Sequence, residues 1–482
     1  MKINRFMIAA PKSGSGKTMI TCALLQLLKD SGKNVSSYKC GPDYIDPMFH
    51  KKVLGVPSKN LDTFFTDEKT TVQLFLDKRA DGDFAVLEGV MGLYDGLGGI
   101  YEQGSSYHLA KVTQTPIILV VDAKGMGKSV LALIAGFLQY DTHHLIKGVL
   151  LNRMSKGYYD IIKPLIEKEL SVKVVGYFPE QKDIRLESRH LGLVMPDELA
   201  DIKEQLDELA GRLKKTIDLD MLLDIAEAAD EIGDSGNADI YNEKNIGNCD
   251  QNKFSQNKEI NTVNIAVAMD EAFCFYYEDN LRLLEKCGAK LQYFSPLHDT
   301  KLPDNCDALL LGGGYPELYA KELSENLSMR NSIKTAFKTG LPTVAECGGF
   351  MYLHTYIHNI CEEDADAQNY VFGMTGALDS ECHFKGKLVR FGYIELAEKH
   401  SNFLPTDEKI RAHEFHYYDS TDNGADCIAT KPATGRSYDC VISHDNYWLG
   451  FPHLYYPSNP HFAERLVRKA YEYRRNKNGK LL

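Results

Sequence analysis

Short apolar runs alternate with amphipathic stretches from residue 3 to about residue 193. Phe6-Met7-Ile8-Ala9, Phe84-Ala85-Val86-Leu87 and Ile117-Ile118-Leu119-Val120-Val121 are continuous in apolar side chains, the pattern of strands covered on both faces. Residues 17–29 place apolar side chains at helical spacing. Strand and helix in repeated alternation predict a mostly parallel α/β sheet. From about residue 196 to 229 the chain is acidic with a helical period. Residues 231–260 are then rich in Asn, Asp, Gly, Lys and Gln and poor in apolar side chains, so the domain linker is expected there. The strand pattern restarts over 263–268, followed by a helix over about 280–287 and strands over 308–311 and 342–345. The predicted fold class is α/β in two domains: 1–195, a helical segment with linker over 196–260, and 261–482.

Composition narrows what such a chain does. With 44% apolar and 25% charged residues among 482, it holds enough material for sizeable cores and is not disordered or fibrous. The 67 acidic against 55 basic residues, a net charge of −12, argue against a nucleic-acid binder, which needs a basic face. The longest apolar runs fall far short of the ~20 residues that cross a bilayer, so no membrane partner is expected. The N-terminus enters a strand without a cleavable apolar leader, and the expected location is cytoplasmic. Eleven scattered cysteines without a CxxC pair read as reduced thiols, and no structural zinc site is expected.

Pro11-Lys12-Ser13-Gly14-Ser15-Gly16-Lys17-Thr18 lies between the first strand and the first helix, the context a P-loop requires. It resembles the deviant Walker A loop, with Pro11 replacing the first glycine and Lys12 in the place of the extra lysine. Gly14, Ser15 and Gly16 let backbone N–H groups turn toward a phosphate, Lys17 reaches the β/γ-phosphates, and Thr18 can hold Mg²⁺. Asp43 and Asp46, in Gly41-Pro42-Asp43-Tyr44-Ile45-Asp46-Pro47, and Glu88, ending an apolar strand, are candidate acidic groups beside that loop, with Asp43 and Glu88 as metal ligands. Asp122 and Asn152 end later strands and are weaker candidates for metal organisation and base recognition.

Ala345-Glu346-Cys347-Gly348-Gly349 joins an apolar strand to a helical pattern, so Cys347 is expected on a tight nucleophile elbow. A helix N-terminus favours thiolate, and the Gly348 N–H is placed to donate to an oxyanion. Gly313, in Gly312-Gly313-Gly314-Tyr315-Pro316-Glu317, is the candidate second donor. Among fifteen histidines, His453 is the chosen base. His413 and His416 sit in a segment that alternates polar and aromatic side chains like a strand, and are read as structural or substrate-adjacent.

These motifs, with Glu88-Gly89-Val90-Met91-Gly92-Leu93-Tyr94-Asp95-Gly96, Ser188-Arg189-His190-Leu191-Gly192-Leu193 and His413-Glu414-Phe415-His416, together resemble the cobyrinate a,c-diamide synthase family of cobalamin-pathway amidotransferases. The N-terminal half is also similar to dethiobiotin synthetase and the C-terminal half to class I glutamine amidotransferases. The resemblance implies that ATP phosphorylates the a and c carboxylates of a polycarboxylate corrinoid, cobyrinate, and that ammonia from glutamine displaces the phosphate. It further implies Cys347 as glutaminase nucleophile with His453 as base. Lys12, Lys17 and Thr18 would bind phosphate and Mg²⁺, and Asp43, Asp46 and Glu88 would be the acidic groups of the synthetase site. A homodimer is compatible with it.

Ordinary class I amidotransferases carry Glu two residues after the histidine; here that position is Tyr455, which leaves open what orients His453. Related enzymes amidate hydrogenobyrinate or nickel-sirohydrochlorin, so these remain alternative substrates. Lys39, Arg189 and His190 are candidates for pairing with macrocycle carboxylates. A deviant P-loop switch ATPase is the reading from another class; it accounts for Lys12 but not for Cys347.

Overall fold

The computed structural model describes residues 2–77, 84–181, 199–233, 262–360 and 369–479. Its packing separates two compact units, Met1–Ile240 and Tyr241–Leu482.

In the first unit, strands β1 (Asn4–Ala9), β2 (Val35–Cys40), β3 (Ser58–Leu61), β4 (Phe84–Glu88), β5 (Ile117–Asp122), β6 (Ile146–Asn152) and β7 (Lys173–Phe178) form one sheet in the order β3-β2-β4-β1-β5-β6-β7. Every pairing in it is parallel. In β5, Ile117 to Val121 are all fully buried, which is why the sequence runs apolar there without alternation. Helix α1 (Lys17–Asp30) follows β1 and buries Ile20, Leu24, Leu27 and Leu28 at three- and four-residue spacing.

Helices Leu199–Lys214 and Leu219–Glu227 occupy the segment expected as a helical stretch between the domains. Their Leu206, Leu209, Leu213, Leu222 and Ile225 join the core that holds Phe6, Ile20 and Leu24, so these helices belong to the first unit. Arg5, fully buried near the start of β1, reinforces this by donating to the carbonyls of Ile3, Thr113, Gln114 and Asp230. Most of the Asn-rich linker, 234–261, lies outside the described residues, as do Arg189 and His190.

In the second unit, β8 (Val263–Ala268), β10 (Ala289–Phe294), β11 (Ala308–Leu311) and β13 (Thr343–Glu346) share a six-stranded sheet with Tyr447–Gly450 and Ile442–His444. Only the last pairing is antiparallel. The short β9 (Phe273–Phe275) and β12 (Gly313–Gly314) pair beside it. A five-stranded antiparallel sheet includes Arg390–Glu398, Lys409–His416 and His453–Leu454. A four-stranded sheet orders Asn369–Gly373, Tyr356–Ile360, Glu381–Phe384 and Tyr418–Ser420. No helix among the described residues is long and apolar enough to cross a membrane.

Candidate functional site

The loop between β1 and α1 turns at Gly14 (φ 75°) and Gly16 (φ 92°), backbone that side-chain-bearing residues avoid. At Gly16 a Cβ would lie 2.3 Å from Asn152 Nδ2. Asn152 ends β6; its Nδ2 donates to Ser15 O at 2.8 Å and its Oδ1 accepts from the Arg153 N–H at 2.9 Å. Through these two bonds Asn152 braces the loop. Ser15 Oγ donates to Lys12 O at 2.9 Å, and Lys17 Nζ donates to Met91 O at 2.6 Å. Burial and then the nearby Lys39 lower the Lys17 pKa to about 8. Asp122, expected near a metal, is held in a two-point ion pair by Arg153, with Nε to Oδ1 at 2.7 Å.

Beside the loop is a buried acidic cluster. Thr18 Oγ1 donates to Glu88 Oε1 at 2.8 Å, and Glu88 is fully buried. Lys39 Nζ reaches the same Oε1 at 2.8 Å, contacts Asp46, and lies 3.8 Å from Asp43 Oδ2. This corrects the expectation that Lys39 meets the macrocycle. Its strand lies inside the sheet between β3 and β4, the residue is 4% exposed, and three carboxylates of the chain itself surround it. Burial opposes the charge of Lys39, but Asp46, Glu88 and Asp43 together raise its pKa well above the usual value. Asp46, despite burial, is lowered by Lys39, whereas burial raises Glu88 to about 7.

His50, four residues after Asp46 on the helix Ile45–Lys52, was not singled out from the sequence. It is fully buried, with Nδ1 2.8 Å from Ser37 Oγ and Nε2 3.8 Å from Glu88 Oε2. Burial lowers its pKa to about 4. Glu88 Oε2 is buried and accepts no hydrogen bond from the described residues. A carboxylate oxygen in that state, beside a hydroxyl and two further carboxylates, forms a hard-oxygen donor set that fits Mg²⁺.

In the second unit, Cys347 stands between β13 and the helix Gly348–Leu353 at φ 47° and ψ −106°, a strained strand-to-helix turn. Its N–H donates to Gly450 O at 2.8 Å. The sequence led us to expect a thiolate. Burial, followed by Glu317, instead raises the thiol above its ordinary pKa, and a helix of six residues does not offset that desolvation.

His453 is 2% exposed and is the register partner of His413, with the two rings stacked 5.0 Å apart at 23°. Burial, His413 and His416 keep its pKa well below 6.5, so the imidazole is neutral and able to accept a proton. The loop after β11 lies against His453 and against Gly348, the residue that follows Cys347. A Cβ on Gly313 would lie 2.4 Å from His453 Cε1, and one on Gly348 would lie 3.1 Å from Gly314 N. Tyr276, which the sequence reading missed, fixes this loop: its hydroxyl donates to Ala268 O at 2.5 Å and accepts from the Gly312 N–H at 2.7 Å. Tyr455 OH donates to Asp279 Oδ2 at 2.9 Å, so the position where other amidotransferases carry the triad acid serves packing here. Ring stacking on His413 positions the imidazole, and the absence of a side chain at Gly313 leaves the space it occupies. His416 Nδ1 donates to Tyr418 O at 2.6 Å, and the ring stacks on Phe451 at 4.0 Å.

Comparison with known proteins agrees with both halves. Residues 6–194 match the CobQ/CobB/MinD/ParA nucleotide binding domain, and residues 264–459 match the CobB/CobQ-like glutamine amidotransferase domain. A nucleotide-binding P-loop unit joined to a glutamine amidotransferase unit defines an ATP-dependent amidating ligase. The chain is 38% identical over 453 residues to the cobyrinate a,c-diamide synthase of Caldanaerobacter subterraneus subsp. tengcongensis, covering 93% of this chain and 94% of that protein. To the proteins of the same name from Picrophilus torridus and Thermoplasma volcanium it is 35% and 37% identical, with coverage of 98% of this chain and 100% and 98% of theirs. The chain belongs to the cobyrinate a,c-diamide synthase family.

Proposed function

We propose that this chain converts the a and c carboxylates of cobyrinate to amides in the cytoplasm, using ATP to activate each carboxylate and glutamine as the nitrogen donor. The observation that carries the reading is one chain holding both a P-loop with its acidic cluster and a cysteine elbow whose glycine loop touches His453.

A carboxylate is a poor electrophile with no good leaving group. Transfer of the γ-phosphoryl group of ATP to it gives an acyl phosphate and ADP; ammonia then attacks the acyl carbon, and phosphate leaves as a proton is released. Lys12, Lys17 and the backbone N–H groups of Gly14, Ser15 and Gly16 neutralise the phosphates, while Asn152 holds the loop in shape. Thr18, Glu88 and Asp43 are the residues that would hold Mg²⁺, which when bound spreads the charge of the phosphate oxygens. Lys39 and Asp46 keep Glu88 in place.

In the glutaminase unit, Cys347 attacks the side-chain carboxamide of glutamine as His453 takes the thiol proton. His453 then gives that proton to the departing ammonia, leaving a glutamyl thioester that water hydrolyses. The N–H groups of Gly348 and of the Gly313 loop stabilise the tetrahedral oxyanion. A thiol that burial holds neutral fits a nucleophile deprotonated only as it attacks.

The test is isotopic. With ¹⁸O in the a and c carboxylates of cobyrinate, each amide formed should release one phosphate carrying a single ¹⁸O; unlabelled phosphate would overturn the acyl-phosphate route. Turnover of hydrogenobyrinate or nickel-sirohydrochlorin with cobyrinate inert would replace the substrate and keep the chemistry.

A further inference from the structure

We propose that His358, Glu381 and His383 form a binding site for a divalent first-row transition ion of the Zn²⁺ type on the four-stranded sheet of the second unit. The strands Tyr356–Ile360 and Glu381–Phe384 run parallel, with Tyr356 opposite Glu381 and His358 opposite His383. Side chains two apart on a strand share a face, so the register alone brings both imidazoles and the carboxylate to one side of the sheet.

The side-chain geometry sharpens this. The two rings stack 4.1 Å apart at 19°, and both Nε2 atoms point to one carboxylate oxygen: His358 Nε2 is 2.7 Å and His383 Nε2 3.7 Å from Glu381 Oε2. The three candidate ligand atoms all lie within 4.8 Å of one another. Bound ligands on Zn²⁺ sit about 2.0–2.2 Å from the ion, hence roughly 3.3 Å apart, so only small side-chain movements are needed to close the site.

The donor set selects the metal. Two imidazole nitrogens and one carboxylate suit Zn²⁺, Co²⁺ or Ni²⁺ and suit Mg²⁺ poorly, which separates this group from the all-oxygen cluster around Glu88. Three protein ligands leave one coordination position for water, so the ion is exchangeable. The partly exposed side chains, 25% for His358, 41% for Glu381 and 35% for His383, give an ion direct access from solvent. Asp419, the register partner of His383 on the next strand, adds negative charge along that face, and Lys385 opposes it. Cysteine spacing offered no sign of such a site, because no cysteine takes part in it.

Zn²⁺ titrated into the full-length protein against a chromophoric chelator should load one more ion on the wild type than on the H358A/H383A double variant. Glu381→Gln should weaken that extra ion at least tenfold. In the Co²⁺-loaded protein, the visible bands of a nitrogen-ligated ion should be present in the wild type and lost in the double variant. Far-UV circular dichroism and glutaminase activity should be the same in both proteins, since none of the three residues serves either reaction. Equal stoichiometry and affinity in wild type and double variant, or an unchanged Co²⁺ spectrum, would overturn the proposal.

Discussion

Lys39 Nζ lies 2.8 Å from Glu88 Oε1, and the two residues are register partners on the adjacent parallel strands β2 and β4. The strand pairing itself therefore installs a cation among the acidic groups of the synthetase site. Removing one partner of a buried ion pair leaves the other charge unsolvated and uncompensated. Lys39→Met should destabilise the first unit by about 3–5 kcal/mol in urea unfolding, with Glu88 and Asp46 left facing each other. A loss below about 1 kcal/mol, the range of an exposed pair, would mean that Lys39 does not hold the cluster.

Gly313→Ala should stop glutamine-dependent amidation while sparing the reaction with free ammonia. The new methyl group would start 2.4 Å from His453 Cε1, so the imidazole must move. A displacement near 1 Å at a catalytic base costs on the order of a hundredfold in rate. Sparing of the ammonia reaction localises the loss to the glutaminase unit, and an unchanged far-UV circular dichroism spectrum of the variant separates it from misfolding of that unit.

His413 acts on His453 by stacking, as a positioning residue. His413→Ala should lower glutamine kcat roughly 10- to 100-fold, whereas His413→Phe, which keeps a flat ring in the stack, should retain most of it. Ammonia-dependent turnover should be unchanged in both. Equal losses in the two variants would show that the histidine contributes through its nitrogens instead of its ring.

The strands and both glycine loops were legible in the sequence because their causes are local. β5 is apolar along its length since both its faces are covered, and the P-loop and the Cys347 elbow are short stretches of backbone with characteristic small residues. What the sequence hid depends on pairing between distant segments. Lys39 reads as a surface base until β2 is placed beside β4, and His413 acquires its partner only when Lys409–His416 pairs with His453–Leu454. The helices Leu199–Lys214 and Leu219–Glu227 showed their amphipathic period, but a period does not say which core will take the apolar face. The thiolate expected at Cys347 failed for a related reason: burial is a property of the assembled unit, and there it outweighs a short helix.

Acid should weaken the second unit through His354. It is fully buried, with Nδ1 2.7 Å from Phe350 O and Nε2 2.7 Å from Ser420 Oγ, and burial lowers its pKa to about 4. The unfolded chain titrates near 6.5 and binds the proton more readily, so the stabilisation is complete above pH 6.5 and is lost as pH falls toward 4. His354→Gln should flatten the dependence of unfolding free energy on pH in that window by about 1.4 kcal/mol per pH unit. An unchanged slope would mean that His354 is already protonated in the folded unit.

The most direct test of the account is mass spectrometry of cobyrinate incubated with the protein, Mg²⁺, ATP and glutamine carrying ¹⁵N in its side-chain amide, run in parallel with Cys347→Ala. Two ¹⁵N amides per macrocycle are expected with the wild type, none with the variant, and two unlabelled amides when the variant is given ammonia. ¹⁵N incorporation by Cys347→Ala, or ATP hydrolysis by the wild type with no amide formed on cobyrinate, would contradict it.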